Sequence, residues 1–445
     1  MNTNAKTKIG MISLGCPKNL VDTEVMLGLL SNGSYEITNQ QEDADVMIVN
    51  TCAFIEDSKK ESIDTILEVA ELKKNGNLKK LIVTGCLAQR YKAKLEREMP
   101  EVDHFIGTGE FQNITDFVRT QKDLPVIRSK VSKPLYVYDE LTPRLSTLPP
   151  HTSYVKIAEG CSRTCSFCII PRLRGDGRSR SVESVTAEVE KLVQNGVKEV
   201  NLIAQDLTAY GLDRDDGANL EKLLRELVKI KDIQWIRLLY NYPMYFSDSL
   251  IELIQNSKVI CNYLDIPLQH IDSELLASMD RKVDEGEVKN LVRKLRKNIP
   301  GIILRTTLIV GFPGETEQQF EKLKDFVREM EFDRLGVFTY SQEEGTVAAL
   351  MPNQIDDKTK QRRREELMLL QQEISNRKNI EAIGKTIQVL IDHGTKEKNM
   401  FVGRTEGQAM EIDGNVFITG ENLKPGQFVQ VKINKALEYD LFATA

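Results

Sequence analysis

Apolar residues in this chain come in short runs that alternate with amphipathic stretches. Ile9–Leu14, Asp45–Asn50 and Lys80–Thr84 are runs of strand length, while Leu20–Leu30, Lys59–Lys73 and Ala88–Met99 carry helical spacing. Pro100 closes the last of these helices, because its ring cannot continue one. Such alternation predicts a doubly wound parallel sheet covered by helices over 8–128. The stretch Ser132–Pro150 holds Pro134, Pro143, Pro149 and Pro150 and reads as an extended linker. Six further strands are expected at Tyr154–Ala158, Glu199–Ala204, Trp235–Tyr240, Tyr263–Pro267, Ile302–Val310 and Arg334–Phe338, with helices such as Val182–Gln194 and Leu220–Val228 between them. Six βα units over 150–379 predict a partial (βα)6 barrel, open on one side, with its chemistry at the carboxyl ends of the strands. Lys358–Asn379 reads as a long charged helix whose Arg362-Arg363-Arg364 run is a solvated face. Over 380–445 the runs Thr386–Ile391, Gly414–Ile418 and Gln427–Ile433 predict a small β-barrel. The expected fold class is therefore α/β with three domains, in line with a length of 445 residues.

Cysteine placement changes the picture from fold to chemistry. Cys161, Cys165 and Cys168 stand as C-x-x-x-C-x-x-C just after the first barrel strand. Three thiolates at this spacing suit a 4Fe–4S cluster held by three irons, with the fourth iron open to a small molecule. Electron-transfer clusters usually take four cysteines. Zinc is the plainer alternative, but it favours C-x-x-C pairs in a closed set of four ligands. Cys16, Cys52 and Cys86 are scattered, yet each closely follows a predicted strand. In a parallel sheet all three emerge at one edge and can converge, with Gly15 and Gly85 allowing sharp turns before the ligand. Three small buried cysteines are the alternative there. Cys261 has no partner nearby and reads as packing.

Charge excludes little and directs some. There are 60 basic and 66 acidic residues, a net of −6, which argues against a protein built mainly to grip phosphate backbone. Met1–Lys8 is polar, and no apolar run approaches the roughly 20 residues that span a bilayer. A cytoplasmic chain with reduced thiols is expected.

Both triads together resemble the methylthiotransferases, a radical S-adenosylmethionine (SAM) family, across essentially the whole chain. Asn50-Thr-Cys-Ala-Phe54, Arg174-Gly175 followed by Ser179-Arg180, Leu264-Asp-Ile-Pro-Leu-Gln-His270 and Gly311-Phe-Pro-Gly-Glu-Thr316 carry the resemblance further. Leu14-Gly-Cys-Pro-Lys-Asn-Leu-Val-Asp22 is similar to the RimO type, whereas the tRNA-modifying MiaB type usually has Gly-Cys-Gln-Met-Asn. The resemblance implies a TRAM barrel at the C-terminus and two 4Fe–4S clusters. The Cys161–Cys165–Cys168 cluster would cleave SAM to a 5′-deoxyadenosyl radical, and the Cys16–Cys52–Cys86 cluster would carry sulfur. It implies methylthiolation of the β-carbon of an aspartate in small-subunit ribosomal protein uS12, with a reducing electron donor and a sulfur donor as partners.

The smaller expectations follow from this frame. Many radical SAM proteins carry Gly-Gly-Glu after the second strand; here Ala204-Gln205-Asp206 stands instead, so Gln205 or Asp206 is expected to touch SAM. Phe167 is placed to shield the cluster or to lie near the SAM adenine, with ordinary packing as the alternative. Gly311 and Gly314 would let backbone approach SAM, or serve a plain strand-to-helix turn. Arg172, Arg174, Arg178 and Arg180 read as a basic patch for substrate or SAM, or as a solvated loop. Lys18 is a candidate to attract the target carboxylate. His104, His151, His270 and His393 lack metal-ligand spacing and read as structural. The rival is a tRNA adenosine methylthiotransferase. From 380 to 445 there are seven basic and nine acidic residues, a net of −2. An RNA-gripping barrel is expected to be basic, so a basic protein partner fits better and direct RNA binding is not expected to dominate.

Overall fold

The computed structural model describes residues 6–31, 35–119 and 128–445; of Met1–Lys8, only Lys6 onward is therefore described. The chain forms two compact units. The first contains residues 1–147 together with 158–164 and 168–180, and the second contains 148–157, 165–167 and 181–445.

The first unit is a six-stranded parallel sheet built from β1 (Thr7–Ser13), β2 (Tyr35–Ile37), β3 (Val46–Thr51), β4 (Lys80–Gly85), β5 (His104–Ile106) and β6 (Ser129–Lys130). Its spatial order is β2-β1-β3-β4-β5-β6. Every residue of β3 is buried, as expected of a central strand covered on both faces. Helices α1 (Pro17–Ser31), α2 (Glu56–Asn75) and α3 (Cys86–Glu98) connect the strands. Pro17 opens α1, where its missing N–H costs nothing. A core of Met47, Val49, Ile66, Leu81, Val83, Leu87 and Phe105 fills one face. The predicted linker is extended, with no regular element over 131–147, but it is strapped to α1. Glu24, fully buried, accepts from Arg144 Nε at 2.9 Å and from the Thr147 N–H at 2.7 Å.

The second unit begins with six parallel strands, Thr152–Lys156, Glu199–Ile203, Trp235–Leu238, Ile260–Asp265, Ile303–Val310 and Arg334–Thr339. They pair in sequential order, and the two end strands do not meet, so the barrel is partial. Side-chain capping sharpens its helices: Asp284 with Glu287 and Thr316 with Gln319 form capping boxes. The same unit ends in a closed five-stranded barrel of Thr386–Gly394, Met400–Arg404, Val416–Thr419, Phe428–Ala436 and Leu441–Thr444. Two of those strands, Met400–Arg404 and Leu441–Thr444, are absent from the sequence expectation because neither shows a long β-rich run.

A buried charge cluster ties the closed barrel to the partial one. Glu199 accepts from Arg237 Nε at 3.2 Å and from Arg404 Nη2 at 2.7 Å, and Arg404 also pairs with Asp392 at 2.8 Å. Burial opposes ionisation of Glu199, but the two guanidiniums bring its carboxyl down to about 2. Cys261 is packed beside this cluster and 1% exposed, and burial pushes its thiol up to about 12. In the Arg362–Arg364 run, Arg362 and Arg364 are exposed as expected, and Arg363 departs. Arg363 is buried, with Nη1 3.1 Å from Glu315 Oε2, because the long helix Asp357–Ile380 packs against the turn after the fifth barrel strand. Among the described residues, no helix is long and apolar enough to cross a membrane.

Candidate active site

Strands β1, β3 and β4 are neighbours and parallel, so their carboxyl ends lie along one sheet edge. Cys16 lies just past β1, Cys52 directly follows β3 and Cys86 begins α3 directly after β4. The two expected glycines do what the turns demand. Gly15 has φ 89°, and a Cβ there would stand 2.7 Å from Cys52 Cβ and 3.0 Å from its Sγ. Gly85 has φ 95°, and a Cβ there would collide with Asn50 Oδ1 and lie 2.6 Å from the Thr51 carbonyl. Only glycine accepts both the left-handed backbone and the close approach.

Asn19 holds these turns together. It is fully buried in the first turns of α1. Its Nδ2 donates to the carbonyl of Leu14 at 3.0 Å and to that of Thr51 at 2.9 Å, the stretches leading to Cys16 and Cys52. Its Oδ1 lies 4.0 Å from Cys86 Sγ. Asn50 Nδ2 in turn donates to the Asn19 carbonyl at 2.9 Å. On the second loop, the Ser62 hydroxyl accepts from the Cys52 N–H at 3.1 Å.

The three thiols feel different fields. Burial alone would raise Cys16, but Lys18, Arg174 and the N–H groups of Asn19 and Lys18 bring it below its usual value. Burial raises Cys52, and the charge of Cys16 raises it further. Burial pushes Cys86 up to about 12, with Cys52 and Cys16 adding to the rise and Arg174 opposing it. Lys18 is 7% exposed and acts on Cys16, so it is a buried partner of the thiol and not an open lure for substrate.

Among the described residues, no three His, Cys, Asp or Glu side chains are placed to grip one metal ion. A cluster asks for something else, since each thiolate binds a different iron and the sulfurs stand farther apart. Three neighbouring thiols, with a buried cation and backbone N–H groups facing them, fit an anionic cluster better than a closed zinc site.

Cys161 and Cys168 belong to the first unit, and Cys165 and Phe167 to the second. In the first unit the loop is framed by the short antiparallel pair Ala158–Glu159 and Arg178–Ser179, and the Cys161 N–H donates to Gly175 at 3.0 Å. In the second unit Ser166 fixes the middle of the motif. Its N–H donates to Met279 at 3.0 Å, its hydroxyl to Ser278 at 2.7 Å, and its carbonyl accepts from Ala348 at 2.8 Å. Arg281, 7% exposed, places Nη1 3.8 Å from Cys165 Sγ and lies 3.9 Å from the centre of the Tyr242 ring. Phe167 packs against Leu275, Met279, Phe312, Tyr340 and Ala348.

The remaining candidates sit at the carboxyl ends of barrel strands. Gln205 is half-buried; Asp206 is buried and accepts from Thr208 Oγ1 at 2.9 Å and the Ala209 N–H at 3.1 Å, which folds its own turn. Gly311 has φ 74°, and a Cβ there would strike Lys360, so its bareness serves the long helix. Gly314 has φ 82° with open space beside it. The basic patch is not one. Arg174 and Arg180 are 2% and 4% exposed, and Arg180 stacks 4.5 Å from the centre of Tyr138. Arg172 is exposed, and Arg178 Nη2 donates to the Arg174 carbonyl at 3.1 Å.

Known proteins bring the same parts together. Residues 8–107 match the uncharacterized protein family UPF0004, 155–327 the radical SAM superfamily and 383–445 the TRAM domain. A ribosomal protein uS12 methylthiotransferase RimO of Syntrophotalea carbinolica is 51% identical over 437 residues, covering 98% of this chain and 96% of that one. The protein of the same name from Desulforamulus reducens is 52% identical over 435 residues, covering 97% and 98%. The chain belongs to the RimO family of methylthiotransferases. It is thereby a radical SAM methylthiotransferase by family. Among solved structures, the radical SAM methyltransferase TsrM from Kitasatospora setae, with cobalamin and a [4Fe–4S] cluster bound, aligns with TM-score 0.53 at 15% identity, covering 75% of each chain. That likeness extends to the fold alone.

Asn19, Arg174 and Arg281 stand beside the two cysteine sets, and sequence reasoning did not assign them to a cluster site. Asn19 lies inside the quoted Cys-Pro-Lys-Asn motif, and Arg174 directly precedes a glycine of the quoted Arg-Gly pair. Arg281 had no local signal, since it lies 116 residues from Cys165.

Proposed function

We propose that this chain attaches a methylthio group to the β-carbon of an aspartate in small-subunit ribosomal protein uS12 by radical SAM chemistry. The observation that carries this reading is the strand-edge set Cys16, Cys52 and Cys86, joined in one chain to the Cys161–Cys165–Cys168 loop and about half identical over nearly its whole length to uS12 methylthiotransferases. Under this reading each set would hold one 4Fe–4S cluster by three thiolates. When loaded, the two clusters and SAM supply one-electron cleavage of SAM, hydrogen removal from an unactivated carbon and a sulfur to transfer.

The chain's own residues then position and shield. Phe167 closes one side of the Cys165 loop with apolar surface and excludes water there. Gln205, Asp206, Gly311 and Gly314 would surround SAM at the strand ends, where Gly314 leaves room for a close approach. Lys18 presents a cation to Cys16 and favours its thiolate form, and Arg281 places its guanidinium beside Cys165. The division of labour gives a sulfur-carrying domain at 8–128, a radical domain at 150–379 and a TRAM domain at 380–445. The acidic balance of the last suits a basic ribosomal protein. A reducing partner, a sulfur donor and a cytoplasmic setting complete the requirements.

The test is mass spectrometry of uS12 and of tRNA from a strain lacking the gene, with and without complementation. The expected result is loss of the uS12 aspartate modification with tRNA unchanged. Loss of a tRNA methylthio group with uS12 still modified would overturn the reading in favour of the tRNA enzyme.

A further inference from the structure

The Arg174 guanidinium is 2% exposed and reaches into the Cys16–Cys52–Cys86 region from the helical turn that follows Cys168. Two buried carboxylates fix its orientation: Nη1 donates to Asp22 Oδ2 at 2.9 Å and to both oxygens of Glu159 at 3.1 Å. With that edge held, Nη2 donates to Asn19 Oδ1. Asn19 is the residue that grips Leu14 and Thr51 by their carbonyls and faces Cys86 Sγ. A continuous order of support therefore runs from carboxylates to arginine, from arginine to asparagine, and from asparagine to all three cysteine-bearing turns. The supporting turn is itself locked into the first unit. Ile169 and Leu173 pack with Cys86, Leu87 and Ala88, and Thr108 Oγ1 donates to the Leu173 carbonyl at 2.5 Å. Arg174 thus extends from the loop of one cysteine set to brace the other.

We propose that Asn19 and Arg174 form a clasp that positions the Cys16–Cys52–Cys86 ligands for their cluster. This inference rests on the reading of that set as a cluster site. Neither residue is a ligand. Both act through the turns that carry the ligands, as hydrogen-bonding partners outside a metal's ligand set commonly do. Arg174 is suited to the role because its rigid fork can hold carboxylates on one side and the asparagine on the other. Lysine keeps the charge but cannot span the three partners. Asn19 is suited because one short amide supplies the two donors for the carbonyls and the acceptor for the arginine.

The experiment uses the full chain with Cys161, Cys165 and Cys168 all changed to alanine, so that any cluster present belongs to the other set. Iron and sulfide content after anaerobic reconstitution, and the midpoint potential followed by electron paramagnetic resonance, are compared for this parent, Arg174→Lys and Asn19→Ala. Circular dichroism checks that each variant is folded. The expected result is a folded Arg174→Lys protein that binds its cluster about 10-fold more weakly and at a shifted potential, with Asn19→Ala losing the cluster more completely. Unchanged loading and potential in both variants would overturn the clasp. A parent that holds no cluster at all would instead overturn the cluster assignment beneath it, so the two failures are distinct.

Discussion

Two sets of three cysteines are placed by the chain in opposite ways. Cys161, Cys165 and Cys168 are neighbours along eight residues, so the chain needs only one loop to carry them. Cys16, Cys52 and Cys86 are separated by whole βα units, and the sheet has to bring them together. The local set relies on anchors outside its own loop, such as Ser166 on Met279 and Arg281 at Cys165. The dispersed set relies on strand register, two left-handed glycines and Asn19. A locally encoded site therefore tolerates change in the fold better than one whose ligands are placed by the fold. A set placed by the fold can be held more rigidly, because each of its cysteines begins at a fixed strand end.

The largest effects should come from replacing the cysteines, and they should separate the two sets by function. Cys16→Ala is expected to reduce methylthiolated uS12 below detection while 5′-deoxyadenosine release under anaerobic reduction stays measurable. Cys165→Ala is expected to abolish both. Mass spectrometry of uS12 and chromatography of the nucleoside read the two outcomes. If Cys16→Ala also abolished SAM cleavage with the other cluster intact, the assignment of separate tasks would be wrong.

Next in size are the turns. Gly85→Ala places a Cβ against Asn50 Oδ1 and the Thr51 backbone at φ 95°. Left-handed strain of about 1–3 kcal/mol adds to overpacking of about 1–3 kcal/mol, and Cys86 should lose its place. Gly314→Ala has φ 82° but open space, so only the strain, about 1–3 kcal/mol, is expected, without the overpacking. Thermal unfolding of the two variants compares a turn that carries a ligand with a turn at the end of a barrel strand. Equal destabilisation would mean that the crowding at the sheet edge has been overrated.

A smaller effect is expected at Arg281. With Cys16, Cys52 and Cys86 changed to alanine, only the loop set can hold a cluster. Arg281→Met removes a buried cation beside Cys165, and a reduced, more negative cluster is thereby destabilised. The midpoint potential should move to more negative values, since hydrogen bonds to the sulfurs and local charge are among the terms that set it. Arg281→Lys should move it less. An unmoved potential in both variants would assign Arg281 to packing on Tyr242 alone.

The legible parts of this molecule were those written in short-range pattern. The strand ends carrying Cys16, Cys52 and Cys86 could be read because each cysteine follows an apolar run, and Gly15 and Gly85 because their neighbours demand a turn. The Cys161–Cys168 motif is local by construction. What could not be read is long-range pairing of charge. Arg174 and Arg180 looked like surface because arginine usually is surface. Only the fold reveals Asp22 and Glu159 beside the one, and Tyr138 beneath the other. Arg363 departs from its surface pattern for the same reason, since Glu315 lies 48 residues away in the chain. Lys18 was placed correctly next to Cys16, but its burial depends on α1 lying against the sheet edge, which no local spacing reports.

The finest contrast lies within the dispersed set itself, and it is read from the metal-free protein. Thiolate is the form that reacts with iodoacetamide. Cys16 lies below its ordinary value because Lys18 and Arg174 outweigh burial, whereas burial holds Cys86 up at about 12. At pH 8 a thiol near 12 is thiolate in only about one molecule in 10⁴, and its share grows tenfold with each pH unit through the whole range from 7 to 10. Cys16 loses that dependence at a lower pH, since it is already deprotonated there to a larger extent. Labelling followed by peptide mass spectrometry should therefore find Cys16 modified first and Cys86 last, with the gap narrowing as pH rises. Labelling of Cys86 at the rate of Cys16 at pH 7 would show that the metal-free edge is open and that the fold does not hold the three turns until a cluster joins them.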